Sequence, residues 1–329
     1  SEQLLIGYFL CHEFDNGFLA TLYPDWEDKI QLSIKEKLIL IQTSFPIFNP
    51  NDLFPGIDNL TTGIAKEEIL QHHFFQPDFF IRVRPGKQQS IEKKLHQHKI
   101  PFKSVNASAI KITAGIDLNS ILELDKEVVV QDVSSQSTSS YFPEFNKDQI
   151  QVWDACAGSG GKSIMVADHY KKVGLHVSDI RQEILDELTR RFNSASIQPI
   201  SLFCTDLQQG MSKQVVNAHL PTGGVDLIIA DVPCTGSGTW SRSPEWLKGF
   251  DTDVIDSYQE RQKNIVSNLP LHLNAGGYLL YITCSVFRQE NEDVVNYIAS
   301  FPELTLEKQG VVHENGGDYL FAALFKKHL

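Results

Sequence analysis

Residues Val152–Ser163 read VWDACAGSGGKS, and this stretch decides the fold. Val152 and Trp153 suit a pleated strand. Gly158, Gly160 and Gly161 make a turn, and a helical pattern runs from Ser163 to about Tyr170. Strand, glycine turn and helix together place backbone N–H groups at a helix N-terminus, where a polar or anionic ligand can sit. Glycine is needed because a Cβ would block close backbone approach. Gly161-Lys162-Ser163 ends like a phosphate-binding P-loop. That motif needs a glycine at position 156, where this chain has Cys156. The strict dinucleotide fingerprint also fails, since no glycine lies two residues before Gly158.

Outward from this turn the pattern alternates. Strand-like runs occur at Gln151–Ala155, Leu175–Ser178, Ile200–Cys204, Val225–Ala230 and Tyr278–Thr283. Helical patterns lie between them, as at Ile180–Asn193 and Asp253–Leu273. Such alternation predicts a parallel sheet with helices on both faces. Leu304–Glu307 and Tyr319–Lys326 follow with the turn Asn315-Gly316-Gly317 between them, which predicts an antiparallel hairpin. The expected fold is α/β: the methyltransferase variant of the doubly wound sheet, mostly parallel with a terminal antiparallel hairpin.

Acids recur at the predicted strand ends: Asp154, Asp179, Asp206 and Asp231. Ligands of open α/β sheets bind outside the carboxyl ends of the strands. Asp179 lies about twenty residues beyond the turn, where a carboxylate can bridge two ribose hydroxyls. Asp206 is placed to accept from an adenine amino group. Each acid alone is also an ordinary helix N-cap; four in register point to a ligand. A cofactor with a ribose, a base and no phosphate fits four acids without an arginine clamp. S-adenosylmethionine has that character, whereas the carboxylates would repel a pyrophosphate.

Two cysteines follow the last two of these strands. Cys234 sits in Asp231-Val232-Pro233-Cys234-Thr235-Gly236-Ser237-Gly238, and Cys284 in Thr283-Cys284-Ser285. Adjacent strands would bring both thiols to one rim. Buried free cysteine is the ordinary state of this residue, yet both lead into polar loops of the kind that display functional groups. C5 of cytosine is a poor nucleophile. A thiolate adding to C6 makes C5 enamine-like, so that C5 can take a methyl group. A base then removes the C5 proton, and elimination frees the thiolate. The thiolate must form near neutral pH, and Lys162 is a candidate cation to help it form.

The N-terminal part reads differently. Residues 1–75 are expected to be mostly helical, with one helix spanning Asp25–Phe45, and Phe45–Gly63 has loop chemistry. Phe74, Phe75, Phe79 and Phe80 read as core. Phe79–Val83 predicts a strand, Gln89–His98 a helix, and Phe102–Val105 and Ala109–Ile112 short strands, a small α+β module. Val128–Gln131 predicts another strand, followed by the polar run Ser134–Ser140.

The composition is globular: 329 residues, 42% hydrophobic and 21% charged. No apolar run reaches the length of a bilayer span, and Leu4–Cys11 is too short and too acidic in its flank for a signal peptide. Five widely spaced cysteines with no Cys-x-x-Cys disfavour disulfides and metal. A cytoplasmic protein without metal or membrane contact is expected. The net charge of −12 argues mildly against nucleic acid. Against that, Arg82, Arg84, Lys87, Lys93, Lys94, Lys99 and Lys103 fall in one run with a single acid, Glu92. Such a patch suits phosphate contacts, although a solvated helix face explains it equally.

Taken together, these stretches resemble the Sun/Fmu (RsmB-like) family of RNA cytosine-5 methyltransferases. Asp154–Ser163 resembles the family's Asp-x-Cys-Ala-Ala-Pro-Gly-Gly-Lys-Thr motif, and Asp231–Gly238 its Asp-Ala-Pro-Cys-Ser-Gly-x-Gly motif. Tyr281–Ser285 with Glu290-Asn291-Glu292 resembles its Thr-Cys-Ser…Glu-Asn-Glu motif. VQDVSSQ at Val130–Gln136 and the segment Arg242-Ser243-Pro244-Glu245-Trp246 also fit. The resemblance covers roughly residues 80–329 and assigns the polar run to the catalytic domain.

The resemblance implies Cys284 as nucleophile and Cys234 as the thiol that assists release; spacing alone leaves that choice open. It implies Asp231 beside the base, and Cys156, Ala157, Gly158, Ser159, Gly160, Gly161, Lys162, Asp179, Ile180, Asp206, Leu207, Asp231 and Pro233 around S-adenosylmethionine. RNA contacts are expected from Arg82, Arg84, Lys87, Lys93, Lys94 and Arg242. Ribosomal RNA is the expected substrate of a monomeric enzyme, with transfer RNA, or a non-catalytic role in ribosome assembly, as alternatives.

Two departures from the pattern stand out. Gly158-Ser159 replaces Ala-Pro, which predicts a more flexible turn. Ile184 stands where the family often has arginine. The segment before Gln76 is also shorter than the N-terminal helical domain of the RsmB proteins. The expected division is 1–75 helical, 76–124 a small α+β module with RNA-binding character, and 125–329 the methyltransferase domain.

Overall fold

The computed structural model describes residues 2–13, 17–74, 77–113, 115–208 and 212–328. The chain forms two compact units, residues 1–77 with 240–252, and residues 78–239 with 253–329.

The first unit is helical: α1 (Glu2–Cys11), α2 (Phe18–Leu22), α3 (Ile34–Ser44) and α4 (Lys66–His72). Its core gathers Phe9, Leu19, Trp26, Ile30 and Ile41. The single helix expected over Asp25–Phe45 is instead a 3-10 turn at Pro24–Lys29 followed by α3. Ser33 causes the break. Its side chain accepts from the Glu36 N–H while Glu36 caps the Ser33 N–H, a reciprocal capping box. The spacing Ser33-x-x-Glu36 carried that signal. Residues 240–252 return to this unit, where the Trp240 ring lies 5.3 Å from Phe54 and Ser241 bonds His72 at 3.0 Å. Arg242 is therefore an exposed residue of the helical unit. Phe75 and the boundary expected between 75 and 76 lie outside the described residues.

The second unit carries two sheets. The smaller is built from β1 (Phe79–Val83), then α5 (Gln88–Gln97), β2 (Phe102–Ser104), β3 (Ala109–Ile112) and β4 (Val128–Val130). Its order is β2-β3-β1-β4, all antiparallel. Because β4 pairs with β1, and both sheets share one compact unit, the division expected at 124/125 does not separate two compact bodies. The polar run opens with a short helix, α6 (Val133–Ser137), capped by the Asp132 side chain.

The larger sheet contains β5 (Ile150–Asp154), β6 (Val173–Asp179), β7 (Ser201–Cys204), β8 (Val225–Asp231), β9 (Leu273–Thr283), β10 (Leu304–His313) and β11 (Tyr319–Lys327). The order is β10-β11-β9-β8-β5-β6-β7. β5 to β9 are parallel, and β11 runs antiparallel between β9 and β10. This is the doubly wound sheet with terminal hairpin that the alternation predicted.

Helices α7 (Gly161–His169) and α8 (Gln182–Ala195) bury Ile164, Val166, Leu185, Leu188 and Phe192 on one face. Helices α9 (Ser212–His219), α10 (Asp253–Ser267) and α11 (Glu292–Ala299) bury Val216, Ile265, Val266, Val294 and Ile298 on the other. With both faces covered, the central strands read as apolar runs. Among the described residues no helix is long and apolar enough to cross a membrane.

Candidate active site

Strand β5 ends at Asp154, and the chain turns through residues 155–160 into α7. Gly158 has φ +53° and Gly160 φ +89°, a region L side chains rarely adopt. A Cβ on Gly160 would also stand 3.1 Å from Leu188 and 3.2 Å from Phe192 of α8. This second requirement fixes the turn against its neighbouring helix.

The turn is anchored. Arg191 of α8 donates to the Ser159 carbonyl at 2.8 Å and to its hydroxyl at 3.0 Å, and pairs with Asp125 at 2.7 Å. The Gly158 N–H donates to Asp179 at 3.0 Å. The flexibility expected of Gly158-Ser159 is thus replaced by a guanidinium clamp supplied from residue 191.

The four strand-end acids divide into two kinds. Asp154 is fully buried below the turn, takes the Ser163 hydroxyl at 2.6 Å, and leaves its second oxygen without a partner. Burial pushes its carboxyl up to about 7 against the Ser163 bond. It serves the start of α7 and forms no part of the cavity wall. Asp179, Asp206 and Asp231 do line a cavity of about 640 Å³ at the carboxyl rim of the sheet. Burial pushes Asp179 up, but hydrogen bonds from Arg181 and from the Gly158 N–H together outweigh it and leave the carboxyl below its usual range.

The same cavity is lined by Cys156, Ala157, Gly158, Ser159, Gly161, Lys162, Ile180, Leu207 and Pro233. Of the residues expected around a cofactor, Gly160 alone stays out of the wall, under α8. Ile180 is 43% exposed, an apolar surface suited to a base.

The cavity is not free of arginine, as the acids had suggested. Arg181 pairs with Asp179 at 3.0 Å, Arg191 with Asp125, and Lys162 with Asp231 at 3.1 Å. Arg261 of α10 also lines the wall, and its buried Nε has no hydrogen-bond partner among the described residues. Sequence reasoning missed Arg261 because it lies inside a helix, away from the strand ends that mark the rim.

The two thiols meet at this rim. Cys234 Sγ and Cys284 Sγ stand 3.2 Å apart, and both line the cavity. The loop after β8 is held on β9 by Val232 N–H to the Ile282 carbonyl at 3.1 Å and Gly238 N–H to the Cys284 carbonyl at 2.9 Å. Gly238 must be glycine there, since a Cβ would fall 1.9 Å from the Tyr319 carbonyl oxygen.

The Cys234 thiol is held well above its ordinary range, first by its hydrogen bond with Cys284, then by burial, then by the charges of Cys284 and Glu290. Lys162 was expected to ease thiolate formation. Its ammonium instead donates to Ser135 at 2.8 Å and to Asp231, and so braces Asp231.

Glu290 is buried behind the thiols. One of its oxygens accepts from the Thr235 N–H and from Gln262 Nε2, both at 2.9 Å. The other accepts from the Thr235 hydroxyl at 2.6 Å and from the Ser285 hydroxyl. Gln262 also donates to the Pro233 carbonyl at 3.0 Å.

The basic run is not one surface. Arg82 is 5% exposed and donates to Asp168 at 2.6 Å and Gln131 at 2.8 Å. Arg84 donates twice to Asp168, at 2.8 and 3.0 Å, and to the carbonyls of Asp125 and Ala195. Both arginines fasten the small sheet to α7 and α8 and are withdrawn from the expected RNA contacts. Lys94 is tied to Glu127 at 2.6 Å. Lys87 and Lys93 of the α5 region remain exposed.

A family model described as 16S rRNA methyltransferase RsmB/F matches residues 143–319, more than half of the chain. Curated relatives include ribosomal RNA small subunit methyltransferase B of Enterobacter sp. (strain 638), 28% identical over 220 residues. The protein of the same name from Yersinia pestis bv. Antiqua (strain Angola) is 27% identical over 222 residues. Each match covers 61% of this chain and 47% of the relative, so the chain spans about half the length of the curated relatives it matches. Among solved structures, a methyltransferase homolog protein from Pyrococcus horikoshii superposes with a TM-score of 0.65 at 21% identity, covering 82% of this chain and 93% of that one. NSun6 from Pyrococcus horikoshii, solved with SFG, gives 0.69 at 13% identity, covering 84% and 99%. At these identities the likeness is one of fold.

Proposed function

Because the chain belongs to the RsmB/F family of 16S rRNA methyltransferases, we propose that it methylates C5 of a cytosine in ribosomal RNA through a covalent bond from Cys284, with S-adenosylmethionine as donor. The observation that carries this reading is the pair of thiols 3.2 Å apart on the wall of a cavity that also presents Asp179, Asp206 and Asp231.

The donor set fits S-adenosylmethionine. Asp179 would take the ribose hydroxyls, Asp206 the adenine amino group, and Ile180 and Leu207 the ring faces, while Arg261 offers a guanidinium to an acceptor or anionic group. When bound, this cofactor supplies a methyl group on a sulfonium, which leaves as a neutral thioether.

The residues of the chain do the rest. Asp231, braced by Lys162, would accept from the amino edge of the cytosine. The Cys284 thiolate adds to C6, and the electron pair this releases forms the bond from C5 to the incoming methyl. Cys234 is kept as a neutral thiol, whose S–H can hydrogen-bond sulfur charge on Cys284. Loss of the C5 proton to a base then returns the pair to the ring, and the Cys284–C6 bond breaks. Assistance of that last step falls to Cys234. The target base must leave its stack to reach the rim, at a cost of a few kcal/mol.

The test is methyl transfer to 16S rRNA with labelled donor. Cys284→Ala is expected to abolish 5-methylcytosine while donor binding by calorimetry is kept. Cys234→Ala is expected to trap a protein–RNA adduct that survives denaturing gels. Wild-type rates in Cys284→Ala, or no adduct with Cys234→Ala, would refute these roles.

A further inference from the structure

Each of the two cysteines is followed by a hydroxyl residue, Thr235 after Cys234 and Ser285 after Cys284. Both hydroxyls donate to the same oxygen of Glu290. The other Glu290 oxygen takes the Thr235 N–H and Gln262 Nε2. Glu290 and Gln262 are each 0% exposed. A second layer repeats the closure: the Ser237 and Ser285 hydroxyls stand 3.2 Å apart, and Ser237 Oγ accepts the Val286 N–H at 2.9 Å. Loops from two different strands are thus joined through one carboxylate, directly behind the sulfurs.

We propose that Glu290 is the positioning residue of the thiol pair: one buried carboxylate, gripping the residue after each cysteine, sets the separation of the two sulfurs. The relevance of that separation to catalysis rests on the proposed cytosine chemistry; the separation itself does not. Four donors converge on two oxygens, which is what a carboxylate accepts. Truncation would take the carboxylate from the buried Thr235 N–H and leave Gln262 Nε2 with the Pro233 carbonyl alone, and the two loops would no longer share an anchor. Glutamine keeps the shape. Its carbonyl can take the two N–H donors, and the hydroxyls can turn to accept its amide N–H bonds.

Glu290 and Tyr281 bear on the Cys234 thiol from behind, and the wall of the cavity that the thiols share carries Cys156, Asp179, Arg181, Arg191, Asp206, Tyr258, Arg261 and the Lys162–Asp231 pair. Of these, Glu290→Gln removes one negative charge and leaves the others in place.

The experiment uses the full chain and phenylarsine oxide, a trivalent arsenical that needs two thiols within reach of one arsenic. Wild type is expected to take up one equivalent, and Cys234→Ala and Cys284→Ala none. Glu290→Ala is expected to bind at least tenfold more weakly, with rescue by Glu290→Gln. In Glu290→Gln the apparent pKa of Cys234 alkylation by iodoacetamide is expected to fall, as removal of a nearby like charge requires. A natively folded Glu290→Ala that binds the arsenical like wild type overturns the proposal. If Glu290→Ala does not fold, a folded Glu290→Asp, whose shorter side chain cannot grip both loops, overturns it instead by binding the arsenical like wild type. Absence of 5-methylcytosine with the wild type would sink the proposed function and leave these thiol results standing.

Discussion

Asp168 offers a test of how the small sheet is held to the large one. Its carboxylate receives Arg82 at 2.6 Å and Arg84 at 2.8 Å, and the three side chains are 8%, 6% and 15% exposed respectively. Asp168→Ala leaves two guanidinium groups buried together without their counter-charge. Breaking a buried pair from one side costs about 3–5 kcal/mol. A unit of this size shifts its Tm by about 2–4 °C per kcal/mol, so a fall of roughly 10 °C is expected. Thermal unfolding followed by circular dichroism measures it. Replacing all three residues together, with Arg82→Met, Arg84→Met and Asp168→Leu, should recover most of the loss, because an apolar substitute can replace an ion triad. An Asp168→Ala protein melting within about 2 °C of wild type would refute the claim that this triad is an anchor.

Two further predictions follow from the same charges. Lys87, Lys93, Lys99 and Lys103 are the exposed remnant of the basic run, so changing Lys87 and Lys93 to Glu should weaken RNA binding and flatten the dependence of log K on log salt by about one to two units, measured by filter binding; an unchanged slope would remove the start of α5 from the RNA interface. Asp154 has its carboxyl raised to about 7 in the folded state. A raised acid means that the folded state holds the proton more tightly, so its contribution is full below the unfolded value of about 3.9 and is lost as pH rises through about 7. Asp154→Asn should abolish that loss: its Tm relative to wild type should climb between pH 5 and pH 8, by an amount equivalent to a few kcal/mol. A Tm difference independent of pH would count against the buried acid.

The sheet was legible because its determinants are local. Alternation of apolar runs with 3.6-period segments sets a parallel sheet, and topology then places strand-end residues at one rim. Asp179, Asp231, Cys234 and Cys284 reach the cavity for that reason alone. Partners brought from afar were not legible. Arg191 grips Ser159 from 32 residues away, so the turn that looked flexible by its glycine is fastened by a helix whose sequence pattern gave no sign of it. Lys162 was read as a thiol's cation from its place beside the turn, but Ser135 and Asp231 compete for its ammonium and win by geometry. Glu290 was visible as part of a motif, and only the convergence of two loops gave it a task.

The basic run illustrates a misreading that the sequence itself could have prevented. Counting charge treats Arg82 and Lys93 alike. Yet Arg82 lies inside a strand and Arg84 just beyond it, two residues apart, and a strand sends residues i and i+2 to the same face. Two arginines on one face of a strand flanked by Ile81 and Val83 must either both meet water or both find a carboxylate. Asp168, on the first helix after the glycine turn, is that carboxylate. Lys93 lies instead on the polar side of α5, whose apolar stripe is Ile91 and Leu95, while Lys87 stands at the exposed cap before the first turn. Period, rather than net charge, separates the arginines that build the unit from the lysines left to meet a polyanion.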